Sequence, residues 1–229
     1  MLEGKKVLVV GGSSGIGLAV SSLAQKNGAH VVIASRNAVK HSDTLKDSVG
    51  ETVETHSFDI TSEESVRGLL QAVGSIDHLV IAVRPDIKSS LFLETEIGEA
   101  RKAFDTKFWG TYRLIQAFHP HLRHQGSIML TSGIAGEKIY KGASAMSIIN
   151  SAIETLCRSL AVELAPLRVN AVSPGFVEPK PREVQEYASQ FPSERLASPN
   201  DIALAYIHLM KNPYITGSVI VVDGGARLV

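Results

Sequence analysis

The chain has 229 residues, a length that one α/β domain satisfies, and its 23 Lys and Arg balance 23 Asp and Glu, so there is no electrostatic case for nucleic acid or an anionic membrane as partner. Hydrophobic residues at 44% and charged residues at 20% exclude a disordered chain. The single cysteine, Cys157, excludes an intrachain disulfide and a cysteine-based zinc site.

No apolar run reaches the ~18 residues of a membrane span. The opening Met-Leu-Glu-Gly-Lys-Lys leads directly into a strand pattern and is read as leaving no room for a signal peptide. The expectation is a soluble, cytoplasmic protein of one domain, residues 1–229.

Short runs rich in Val and Ile recur along the chain: Val7–Val10, Val31–Ala34, Val53–Phe58, His78–Val83, Ser127–Leu130, Arg168–Val172 and Ser218–Val222. Between most of them, apolar residues fall at three- and four-residue spacing, as in Ile16–Leu23, Val66–Val73 and Ile148–Leu164. Strands apolar on both faces and separated by helices imply a parallel sheet between helix layers. Right-handed crossovers then give a doubly wound, Rossmann-type sheet of seven strands.

The first strand runs into Gly11-Gly12-Ser13-Ser14-Gly15-Ile16-Gly17 and then a helix. Glycines permit a tight bend and close backbone approach, and a helix N-terminus offers free N–H groups to phosphate. The bland alternative is a turn that binds nothing. The second strand ends in Ser35-Arg36-Asn37 with no carboxylate to accept bonds from a ribose 2′-hydroxyl. A guanidinium there suits a 2′-phosphate, so NADP(H) is expected over NAD(H); otherwise Arg36 is a solvated surface residue. The cluster His119, His121 and His124 has no interleaved carboxylate and is read as solvated histidines at a helix end, with no metal site. The Pro-rich stretch Pro174–Pro199 is read as a loop beside a site.

These residues, and others over essentially the whole chain, resemble the short-chain dehydrogenase/reductases. Gly11, Gly15 and Gly17 match that family's TGxxxGxG pattern, with Val10 in place of Thr. FDITSEESV is similar to its third-strand segment, which implies that Asp59, with Ile60 beside it, meets the adenine. APLRVNAVSPGFVE resembles the sixth strand and the Pro-Gly turn at the nicotinamide, here Pro174-Gly175 with Val177 following, and ITGSVIVVDGG resembles the last strand. The family's NNAG stretch is replaced by Ile81-Ala82-Val83-Arg84, so Ala82, Val83 and Arg84 are expected near the cofactor. Arg84 could equally pair with Asp86.

The resemblance also locates the family's catalytic Asn, Ser, Tyr and Lys, and all four positions are substituted. Lys107 stands for Asn, Gly133 for Ser with Ser132 beside it, Met146 for Tyr, and Asn150 for Lys. A Met thioether donates no proton, so ketone reduction by the family's usual route is not expected. Three residues remain as candidates for chemistry. Lys107 can bind the ribose, act as an acid or hold an anionic substrate, or it faces solvent or pairs with Asp105. Tyr140 is a proton donor or a pocket wall. Ser132 donates a hydrogen bond unless the strand turns it away.

The segment Phe176–Ala197 corresponds to the family's substrate lid and is short, implying an open pocket that admits a bulky or polycyclic small molecule. The resulting expectation is an NADP(H)-dependent oxidoreductase acting on an imine, an iminium ion or another activated double bond. Tetrad-lacking family members in alkaloid pathways are similar in this respect. The alternatives are a non-redox cyclisation or isomerisation catalyst with NADP(H) as pocket wall, and a non-catalytic NADP(H)-binding protein. The family implies a homodimer or homotetramer, for which Ala145, Ile149, Ala152, Ile153, Leu156 and Leu160 form a candidate face unless they are core.

Overall fold

The computed structural model describes residues 2–229. Its strands are β1 (Lys6–Val10), β2 (His30–Ser35), β3 (Glu54–Ser57), β4 (Ile76–Ile81), β5 (Leu122–Thr131), β6 (Arg168–Pro174) and β7 (Val219–Val222). They form one seven-stranded sheet in the order β3-β2-β1-β4-β5-β6-β7, and every pairing is parallel. The chain winds outward from β1 to β3, then returns to place β4 on the other side of β1. That reversal opens a crevice at the carboxyl ends of β1 and β4, where open α/β sheets bind ligands.

Eight α-helices cover the sheet: α1 (Gly15–Lys26), α2 (Ser42–Val49), α3 (Glu63–Val73), α4 (Ile97–Phe104), α5 (Gly110–Phe118), α6 (Ser144–Glu163), α7 (Arg182–Ala188) and α8 (Pro199–Lys211). Successive strand residues point to opposite faces, so Leu8 and Val10 enter a core shared with residues of α3, α5 and α6, such as Leu69, Leu114 and Ile153. Val7 and Val9 enter the other, with Val20, Leu45 and Tyr206 of α1, α2 and α8. No helix among the described residues is long and apolar enough to cross a membrane.

Two regions differ from the sequence expectation. β5 begins at Leu122, five residues ahead of the apolar run at Ser127, and carries the exposed Arg123, His124 and Gln125. His124 therefore sits on a strand rather than at a helix end, while His119 and His121 bracket a single 3₁₀ turn after α5. Polar residues hide this strand start, which pairs Leu122 with Ile76 of β4 ahead of a register shift and sets Arg123 at 3.2 Å from Asp77. Within Pro174–Pro199 the chain also forms α7, which Pro181 precedes at the N-cap position, a placement that its fixed φ suits.

The amino ends of the strands are pinned by buried polar groups. Asp77 accepts from Lys6 N at 2.9 Å and Lys5 Nζ at 3.1 Å; burial works to raise its carboxyl, but these contacts and Arg123 hold it below its ordinary value. His78 Nδ1 meets Ser127 Oγ at 2.7 Å across β4 and β5, and burial pushes the imidazole down to about 4, which leaves it neutral near pH 7. Arg168 donates to three carbonyls, those of Leu209 (2.7 Å), Met210 (3.0 Å) and Ile215 (3.2 Å), tying β6 to the end of α8. Arg168→Met removes its donors to Leu209 O and Met210 O and leaves Ile215 O with the Asn170 amide. The expected cost is on the order of 3 kcal/mol of unfolding free energy, read as a lower urea midpoint at unchanged slope.

Candidate active site

The turn from β1 to α1 is shaped by backbone contact. A Cβ on Gly17 would lie 2.2 Å from Gly11 O, and one on Gly11 would lie 2.7 Å from Ala82 O, so turn, helix and the end of β4 touch through bare backbone. Gly15 is different: its φ is +51°, and a Cβ there would project into open space. Ser14 caps α1 without a side-chain bond, and the first turn holds no acidic residue, so its N–H groups are left for an anion. Ile16 packs half-buried against the α1–α8 core and anchors the turn.

At the end of β2, Ser35 Oγ donates to Ser13 Oγ at 2.8 Å, closing the glycine turn onto that strand. Arg36 and Asn37 are exposed beside it. Asp59 bonds Thr61 through its backbone N–H (2.9 Å) and hydroxyl (2.7 Å); these bonds, and then the nearby Arg36, hold its carboxyl below the ordinary range. Ile60 is buried, where its side chain meets Gly110 of α5.

Across the crevice, Ala82 and Val83 follow β4 as half-buried backbone against the turn. Arg84 is exposed, and no ion pair with Asp86 exists among the described residues. Pro174 ends β6, and Gly175 N donates to Val222 O at 3.0 Å; a Cβ on Gly175 would lie 2.8 Å from Asp223 Cα. Val177 forms a short bridge with Ala197, which fixes the start of the lid segment.

The reaction end is built around Lys107. Between α4 and α5 the helix widens into a single π turn, Asp105–Trp109, and Lys107 lies on it, buried. Such turns insert one residue and re-aim a side chain, and they recur at functional sites. Lys107 Nζ donates to Ser132 O at 2.9 Å and to Asn150 Oδ1 at 2.7 Å. It neither faces solvent nor pairs with Asp105. Burial drives its pKa down to about 7, opposed by Glu154 and assisted by Arg84. An amine so placed exchanges a proton near neutrality while keeping both bonds.

Residues that the family resemblance assigns to the catalytic positions therefore meet. Asn150 bridges to Lys107, and a Cβ on Gly133 would lie 2.9 Å from Asn150 Nδ2, so a larger residue at 133 would displace that amide. Ser132 contributes its carbonyl; its hydroxyl turns toward Val172 O at 3.4 Å and away from chemistry. Met146 packs half-buried against the core on this side.

Tyr140 stands in an aromatic cluster, edge-on to Phe176 at 5.6 Å, with Tyr187 and Phe191 behind. Its hydroxyl is buried with no partner among the described residues, and burial, followed by Tyr187 and Asp223, pushes its pKa up to about 12. A hydroxyl so placed releases its proton less readily than that of a free tyrosine. Sequence reasoning did not find this cluster, which the α7 segment assembles.

A sequence profile described as enoyl-(acyl carrier protein) reductase matches residues 10–227. The chain belongs to the short-chain dehydrogenase/reductase family. One family relative, the short-chain dehydrogenase/reductase ATR9 of Stachybotrys chlorohalonatus, is 31% identical over 99% of this chain and 98% of its own length. Among solved family structures, a small-chain dehydrogenase in complex with NADPH is 33% identical with a TM-score of 0.86, covering 99% of this chain and 100% of its own. The MalC reductase/Diels-Alderase of Malbranchea aurantiaca is 30% identical with a TM-score of 0.90, covering 100% of this chain and 97% of its own.

The buried amine makes a stability prediction with a definite sign. Folded Lys107 loses its proton near pH 7, whereas an unfolded lysine keeps it to about 10.5. The unfolded state thus binds more protons across that window, and stability rises with pH through it. Relative to Lys107→Met, the wild-type protein should gain on the order of a few kcal/mol between those limits, measured by urea unfolding across the pH range.

Proposed function

We propose that this family member is an NADP(H)-dependent reductase of imines, iminium ions or similarly activated double bonds, with Lys107 as the proton-holding group. One observation carries the proposal: a buried amine, held by Ser132 O at 2.9 Å and Asn150 Oδ1 at 2.7 Å, whose pKa falls to about 7. The glycine turn fits a dinucleotide, since Gly15 leaves open space over free helix N–H groups. Ser13, Ser35 and Arg36 would hold a 2′-phosphate. When bound, the nicotinamide supplies hydride chemistry.

Lys107 Nζ as an ammonium gives its proton to a neutral imine nitrogen and becomes the amine, with both protein hydrogen bonds intact. An iminium ion needs no such proton, because its carbon–nitrogen π pair returns to nitrogen on reduction. Burial keeps Lys107 from bulk water, which strengthens its interactions. Ketones are disfavoured, since a ketone oxygen is far less basic than an imine nitrogen and takes no proton from Lys107 before hydride arrives, and Tyr140, at about 12, offers no stronger acid.

A second reading is non-redox cyclisation with the nucleotide as pocket wall. It is favoured by the solved relative named both reductase and Diels-Alderase. Product formed without change in nicotinamide absorbance would select it.

We also propose a homodimer. Of the candidate face from the sequence, Ile149, Ile153 and Leu156 are buried, while Ala145, Ala152 and Leu160 are half-buried. The outer face of α6 carries Ile148 and Thr155 with Ala152 and Leu156 of that face along a groove of about 610 Å³ that Phe108 and Ile139 also line. Trp109 and Tyr112 extend the apolar strip on the neighbouring helix surface. A second copy burying this strip fits its composition.

With NADPH, the protein should reduce cyclic imines and not simple ketones. Arg36→Ala should raise the KM for NADPH more than that for NADH, and Tyr140→Phe should leave imine reduction largely intact. Ketone reduction abolished by Tyr140→Phe would reverse the assignment of the acid. Ile148→Asp should convert a dimer to monomers by sedimentation velocity; an unchanged assembly would place the interface elsewhere.

A further inference from the structure

The turn at residues 223–227, just past β7, touches both the lid and the chain beyond β5. Gly224 and Gly225 hold φ of +60° and +84°, a backbone that favours glycine, and a Cβ on Gly225 would lie 2.5 Å from Pro192 Cγ of the lid. Asp223 closes the turn by accepting from Gly225 N and Arg227 N at 3.0 Å each. Gly224 O accepts from Ser193 N of the lid, also at 3.0 Å. Ala226 is fully buried, in a small core with Phe191 and Leu196 of the lid and Ile134 beyond β5.

Two side chains bind this turn to the segment 133–138. Lys138 Nζ donates to Ala226 O at 3.0 Å and stands 5.4 Å from the centre of the Tyr140 ring. Glu137 pairs with Arg227 at 2.6 Å. That pair is exposed enough to contribute little by itself, so the half-buried Lys138 bond carries more of the hold. Glu137 N and Lys138 N donate to Ile134 O at 3.0 and 2.8 Å, and Gly136 N donates to Gly133 O at 2.9 Å. The segment in turn rests on α6: Ser151 Oγ donates to Gly136 O at 2.8 Å, and a Cβ on Gly136 would lie 3.1 Å from Asn150 Cβ. Asn150, and Ser132 immediately before Gly133, are the two acceptors of Lys107. Direct contacts therefore run without a gap from the turn past β7 to the groups that hold the amine.

We propose that Lys138 and Glu137 are positioning residues: by tying the turn 223–227 to the segment 133–138 they clasp the lid and the Lys107 acceptors into one closed arrangement. This rests on the reading of Lys107 as the proton-holding group. With the clasp shut, the amine stays desolvated. With it open, water reaches the amine, which then keeps its proton to a higher pH. Direct electrostatics make a different demand. Removing the positive charge of Lys138 would raise the Lys107 midpoint and removing the negative charge of Glu137 would lower it, whereas loss of the clasp raises it in both cases. The charged groups that act on Lys107 are Glu154 of α6 and Arg84 beyond β4, and both stay in every variant below.

The test compares the wild-type protein with Lys138→Met and Glu137→Gln, and with Lys138→Arg as the conservative variant. In the NADPH-loaded protein with pyrroline as probe, the midpoint of the pH profile of reduction should rise by about one unit in Lys138→Met and by less in Glu137→Gln. Lys138→Arg should restore the wild-type midpoint. The same shift is read without turnover, from the pH at which the urea stability of each protein diverges from that of its Lys107→Met counterpart. Amide hydrogen exchange at residues 134–138 and 182–197 should quicken together in Lys138→Met. An unchanged midpoint in either variant overturns the proposal. So do shifts of opposite sign, because the two charges would then act on Lys107 directly. An upward shift of both variants in the stability measurement, without pyrroline turnover by any of the proteins, sustains the clasp and rejects the reductase reading.

Discussion

Lys107 Nζ is where three independently built parts of the chain meet. The π turn between α4 and α5 brings the amine, the carboxyl end of β5 brings the Ser132 carbonyl at 2.9 Å, and α6 brings the Asn150 amide at 2.7 Å. Each contact constrains an element that also packs on the sheet, so the core on that side and the reaction end share one geometry. The amine is buried, and only its two acceptors make that burial tolerable. Behind them, Thr131 Oγ1 is fixed by Ile81 O (2.7 Å) and Tyr206 Oη (2.6 Å), which locks the strand end that presents Ser132.

The exchanged residues make sense only as a set. Lys107 needs an acceptor that a lysine at 150 could not supply, since two ammonium groups would repel each other at this distance. Asn150 needs space beside Gly133, which a serine side chain would take away. With these three in place a tyrosine at 146 has no cationic neighbour on its own helix to lower its pKa, and a half-buried Met146 fills the position as packing. Lys107, Asn150 and Gly133 thus fit one another, with the amine held from the side of α6 and room kept for the amide beside the glycine.

Much of this was legible in the sequence because it follows from backbone geometry. The parallel sheet shows as alternating apolar runs, and the glycine turn shows because no other residue tolerates 2.2–2.7 Å approaches at Gly17 and Gly11. Other features depend on contacts distant in sequence. The start of β5 pairs Leu122 with Ile76 of β4 ahead of a register shift, and no apolar run announces it. Ile148 and Ile149 are adjacent and equally apolar, yet one is 58% exposed and the other fully buried, because neighbouring positions on a helix point about 100° apart. Tyr140 offered two readings, and what the sequence did not show is that its hydroxyl lies buried without a partner among the described residues.

The π turn Asp105–Trp109 has a further consequence, for the length of the chain rather than its chemistry. It holds one residue more than an α-helical turn would, and it serves two sides at once, with Lys107 inward and the half-exposed Trp109 outward. Loss of a single residue within it would restore a regular helix and rotate one half of the rod against the other by roughly 100°. The inner amine and the outer aromatic strip could not then both keep their directions. The number of residues in this turn is therefore as constrained as the identity of Lys107 within it.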